Sequence, residues 1–125
     1  MELSEARRSL AEMGEEITRF GESLDLDALN DEIAANEDDM AQPDFWNDNV
    51  AAQKVIDANN LLKGRRDDYL NLTAGVENVE TALELLAEMP DEDMQAEMEA
   101  DLEKLAADLE SYLLAQLLNE PYDKN

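Results

Sequence analysis

Val55-Ile-Asp-Ala-Asn-Asn-Leu-Leu-Lys-Gly-Arg-Arg-Asp-Asp-Tyr-Leu-Asn-Leu-Thr-Ala-Gly-Val-Glu-Asn-Val-Glu-Thr-Ala-Leu-Glu-Leu-Leu86 is the stretch that decides the fold. Val55, Leu62, Tyr69, Val76 and Leu83 recur every seven residues, and Ala58, Arg65, Leu72, Val79 and Leu86 follow each of them by three. A seven-residue repeat with apolar residues at two positions is the seam of a helix that packs along other helices. Arg65 is its one charged exception. The spacing predicts a helix over about 48–89. At about 1.5 Å per residue that is on the order of 60 Å, whereas a compact domain of this size is only ~25–30 Å across. An elongated object is therefore expected.

Working outward, Pro90 closes this helix and Asp91-Glu92-Asp93 opens the next, where acids favour the positive end of the helix dipole. Met98, Leu102, Leu105, Leu109 and Tyr112 keep three-and-four spacing, so a helix is expected over 91–118. Leu113, Leu114, Leu117 and Leu118 make its end apolar nearly all round, and Pro121-Tyr122-Asp123-Lys124-Asn125 should leave helical geometry. Towards the N-terminus, Leu3, Leu10, Met13, Ile17, Phe20 and Leu24 mark a helix over about 4–23, with Ser4 as its cap and Gly21 loosening its end. A further helix fits 27–41, capped by Asp27, with Leu29, Ile33 and Met40 on one side and Asn36 diluting that stripe. Pro43 disfavours helical geometry at Gln42 and ends it. Asn47 or Asp48 can cap the long helix. No strand period appears. The expected fold is all-α: a long antiparallel two-helix hairpin of coiled-coil type with two shorter N-terminal helices, in a single domain over 1–125.

Composition narrows the function. Asp and Glu number 33 against 9 Lys and Arg in 125 residues, a net charge of −24, with 44% hydrophobic residues. Nucleic-acid binders need clustered cations to displace counterions, and anionic lipid also selects for them. The apolar content is too high for a disordered acidic tail. There is no Cys and no His, so thiol nucleophiles, thiolate or imidazole metal ligands and the usual general base are absent. Asp25-Leu-Asp27 and Asp91-Glu-Asp93 both fail the calcium-loop pattern, which needs Gly at the sixth position and Glu at the twelfth. The glycines, at 14, 21, 64 and 75, form no phosphate loop. No cofactor, metal or catalytic residue is expected. Residues 25–46 hold eight acids and no base, a field that steers a chain towards basic protein surfaces.

Two spots invite a functional reading. Pro43, Asp44, Phe45 and Trp46 form a corner with the only tryptophan. Adjacent aromatics after proline read as a packed corner; the alternative is a partner-binding hot spot. Lys63, Arg65 and Arg66 are the densest basic cluster. They read either as a solvated face balanced by Asp67 and Asp68 or as a docking patch for an acidic partner.

Gln42-Pro43-Asp44-Phe45-Trp46-Asn47-Asp48, followed by Ala52-Gln53-Lys54-Val55-Ile56, resembles the N-terminal region of the bacterial peptide chain release factor 2 family. So do Ser23-Leu24-Asp25-Leu26 and the closing Pro121–Asn125. The resemblance implies a first domain, helical and non-catalytic, of a cytoplasmic factor that terminates translation at UGA and UAA. The family reads the codon through Ser-Pro-Phe and triggers hydrolysis through Gly-Gly-Gln; neither tripeptide occurs here. The implied partners are the ribosome, at its stalk base, and the GTPase release factor 3, with no direct grip on nucleic acid and no membrane. The resemblance also implies that the piece alone could dimerise through its apolar end. The competing reading is a free-standing acidic coiled-coil adaptor or chaperone for basic partners.

Overall fold

The computed structural model describes residues 1–119. Four helices follow in order: α1 (Leu3–Leu24), α2 (Leu26–Met40), α3 (Asn49–Glu88) and α4 (Glu92–Asn119), with a 3-10 turn at Phe45–Asn47 before α3. No strand occurs among the described residues. The fold is all-α, as the periodicity predicts. The closing Pro121–Asn125 lies outside the described residues.

The chain forms two compact units. Among the described residues, one comprises Met1–Thr18 and residues 70–119. Its core is built from three stripes: Ala6, Leu10, Met13 and Ile17 on α1, Leu72, Val79, Leu83 and Leu86 on α3, and Met98, Leu102, Leu105, Leu109 and Tyr112 on α4. Each buried Leu or Val contributes roughly 1.5–3 kcal/mol. Gly75 brings α3 close to α4, since a Cβ there would stand 2.9 Å from Leu105 Cδ1. Asn71 Nδ2 donates to Asp108 Oδ2 at 3.2 Å across the same pair. The hairpin between them turns at Asp91, whose Oδ1 accepts from the backbone N–H groups of Asp93 and Met94 at 2.9 and 3.1 Å.

The other unit is Arg19–Tyr69. Leu29 and Ile33 of α2 are buried, as are Ala52 and Asn59 of α3. Asn36 Nδ2 donates to Asn59 Oδ1 at 3.4 Å, and Asn59 Nδ2 donates to Met40 Sδ at 3.9 Å. Asp48 caps α3, its Oδ1 accepting from Val50 N and Ala51 N at 3.1 Å each.

Several local expectations change. The α1–α2 break is one residue, Asp25, at φ 50. Its side chain accepts from Ala28 N, so Asp25, not Asp27, caps α2. Asp tolerates this left-handed conformation because its short polar side chain bonds locally. Gly21 does not loosen the helix; it makes room for Tyr69, whose Cζ would stand 2.6 Å from a Cβ there. Ser4 lies inside the first turn of α1 and does not precede it. In α3 the seam is also uneven: Ala58 is exposed while Asn59 and Ala52 are buried.

Candidate functional site

The corner is built from its backbone. Met40 is the last residue of α2. Phe45 N donates to Gln42 O at 3.1 Å and Asn47 N to Asp44 O at 3.0 Å. These bonds close two overlapping tight turns, and the Asp48 cap starts α3 directly after them. The corner presents two rings edge to face, with centroids 5.3 Å apart and planes at 85°. That geometry places the positive edge of one ring on the negative face of the other. Phe45 is half-buried, while Pro43 and Asp44 are exposed. Trp46 is 59% exposed and Val50 is 68% exposed. The tryptophan is therefore not a core residue, contrary to the packed-corner reading. Its ring packs edge to face with Phe45, and more than half of the residue's surface is exposed.

The basic cluster is largely neutralised. Lys63 Nζ lies 3.4 Å from Glu37 Oε2 of α2, and Arg66 Nε lies 3.0 Å from Asp67 Oδ1. Such exposed pairs contribute about 0–1 kcal/mol each, but they place an acid beside two of the three cations. Arg65 is half-buried, with its Nε enclosed and lacking a hydrogen-bond partner. Sequence reading placed Asp67 and Asp68 as the balancing acids. The counter-charge on Lys63 comes instead from 26 residues away, a pairing that only the fold reveals. Along α3, Arg65 lies on the order of 25 Å from the start of the helix at about 1.5 Å per residue. The corner and the cluster are thus separate features of the same unit.

A third feature was not singled out from sequence. Asn71, Gly75 and Asn78 of α3 and Lys104, Leu105 and Asp108 of α4 line a cleft of about 250 Å³. At Gly75 the missing side chain leaves room for Leu105, which lies against the helix backbone there. Lys104 Nζ lies 2.6 Å from Asp108 Oδ2. The Lys104 hydrogen bond holds the Asp108 carboxyl below its ordinary value, with Asn71 adding to the effect. A carboxylate so tied is a structural link and a poor general base. Among the described residues no group of three or more acids could hold a metal ion. At the other end of α4, the Met1 amino group lies 2.9 Å from Glu99 Oε1. The hydrogen bond raises the amine's pKa and lowers that of Glu99.

A family model described as the PCRF domain matches residues 29–125. The peptide chain release factor 2 of Lactiplantibacillus plantarum is 50% identical over all 125 residues of this chain, which cover 33% of that protein. The peptide chain release factor 2 of Listeria innocua is 44% identical over the whole chain, covering 34% of its length. That of Staphylococcus epidermidis is 40% identical, again over the whole chain and 34% of the relative. The chain spans about a third of the length of the curated relatives it matches.

Proposed function

The chain belongs to the bacterial peptide chain release factor family, and on that premise we propose that it serves as the first, non-catalytic domain of a factor that ends translation on the ribosome. The observation that carries this reading is identity of 50% extending across all 125 residues to a protein named as a release factor. In this reading the full protein acts in the cytoplasm and directs peptide release at UGA and UAA. This domain supplies contacts, to the ribosome at its stalk base and to the GTPase release factor 3. Those partners follow from the family resemblance.

The chemistry of the chain supports a binding role. It holds no His and no Cys. Of the two carboxylates that line the cleft, Asp101 and Asp108, the second is already engaged by Lys104 and Asn71. The net charge of −24 opposes direct contact with RNA phosphates.

The test is peptide release from ribosomes programmed with UGA, UAA or UAG. The complete protein encoded by the native gene should release peptide at UGA and UAA and leave UAG untouched. The 125-residue chain alone should release nothing. Release at UAG, or by the chain alone, would overturn the proposal.

A further inference from the structure

We propose that the corner around Trp46 and Val50, together with the acidic face of α2, is a docking surface for a basic segment of another protein that seats an apolar side chain against the Trp46 ring. This inference needs only the surface of this chain, and it stands apart from the release-factor reading.

The apolar half of the surface is Trp46, 59% exposed, and Val50, 68% exposed, only four residues apart on either side of the Asp48 cap. Tryptophan is the side chain most enriched among residues that dominate binding energy. Its presentation is fixed in advance. The turn hydrogen bonds at Phe45 and Asn47 set the backbone, and the edge-to-face contact with Phe45 sets the ring. A group already ordered loses little freedom on binding.

The polar half is the charge. All eight acids between residues 25 and 46 are exposed. Among the described residues, Lys63 on Glu37 is the one ion pair that reaches this segment. Most of the field is thus open to a partner. It selects the occupant by sign. RNA or DNA would set phosphates against these carboxylates, and so would an anionic lipid surface. A second copy of this chain would bring the same eight acids. A Lys- or Arg-bearing protein segment gains from the field in both encounter rate and register.

Two fluorescently labelled 15-residue peptides of equal charge serve as probes, one of lysine and leucine, the other of lysine and serine. Binding to the 125-residue chain is read by anisotropy. The lysine–leucine peptide should bind about tenfold more tightly, as expected of an apolar anchor in a charged rim. Trp46→Ala should bring the two peptides to within about twofold, with helicity unchanged by circular dichroism. Leu117→Ala, which truncates an exposed leucine on α4, should leave the preference intact. Equal binding of the two peptides to the unaltered chain would overturn the proposal. So would a preference that survives Trp46→Ala, or one that Leu117→Ala removes. No ribosome enters this assay, so its failure leaves the release-factor reading untouched, and the converse also holds.

Discussion

Asn36 reaches across from α2 to donate to Asn59 Oδ1 at 3.4 Å, and Asn59, at 1% exposure, is the one buried polar residue among the described positions. An amide enclosed in an apolar seam is tolerated only in the register that supplies its partner. Sliding α2 by one turn would leave Asn59 unpaired. Asn59→Ala should therefore cost about 1–3 kcal/mol, because Asn36 keeps an unpaired amide. Replacing both by Leu should cost less than the single change, while broadening the NMR lines of α2. Urea denaturation of the two variants measures this, and a double variant worse than the single one would argue against it.

The glycines separate into two kinds. A Cβ on Gly14 would have nothing within 4 Å, so Gly14→Ala should stabilise by about 1 kcal/mol through helix propensity alone. Gly21→Ala should destabilise, because the new methyl meets the ring of Tyr69, with Cζ at 2.6 Å and Cε1 at 2.9 Å. Thermal melts would show opposite shifts. In a Tyr69→Ala background, Gly21→Ala should turn stabilising.

Exposure orders the large side chains. Met98→Ala should cost about 2–5 kcal/mol, because the methionine is fully buried. Trp46→Ala should cost less than about 1 kcal/mol, since surface changes have small effects. A core tryptophan would cost ~3–5 kcal/mol instead. Chemical denaturation of the two variants distinguishes these.

Asp108 links stability to pH. Lys104 holds its carboxyl below the ordinary 3.8, and Asn71 adds to this. The native state therefore prefers the ionised form, and the unfolded chain binds a proton first as pH falls. The stabilisation is present in full above the unfolded value and disappears as pH drops through the lower folded value. Lys104→Met should raise the Asp108 pKa in an NMR titration and blunt the acid loss of stability. An unchanged pKa would contradict the assignment.

Much of the fold was legible. In the heptads from Leu72 to Leu86 the apolar positions are buried except the half-buried Val76, and the three-and-four spacing from Met98 to Tyr112 marks buried residues throughout, because burial on one helix face imposes that period. Legibility failed where α3 serves the second unit. There Asn59 is buried and Ala58 exposed. A straight helix drifts by about 20° per heptad, and residues 49–69 belong to the unit that contains α2. A polar amide carries no hydrophobic signal, so its burial was invisible until Asn36 was placed beside it. The capping role of Asp25 was not legible because glycine is the usual left-handed residue, and the local bond to Ala28 that offsets its strain is a matter of geometry. The corner was visible as a motif, but composition does not say which way a tryptophan faces. The cleft beside Gly75 had no sequence signal beyond an isolated glycine.

The central claim, that this chain contributes binding and no chemistry to a release factor, is tested most directly by deleting it. The complete protein and a form lacking residues 1–119 would be titrated against UGA-programmed ribosomes, and the release rate at saturation separated from the concentration giving half that rate. The deletion should raise the half-saturating concentration about tenfold or more, the size of a lost docking contact. The saturated rate should stay within about twofold of the original, since uniform binding does not alter the chemical step. A collapse of the saturated rate with unchanged half-saturation would contradict it.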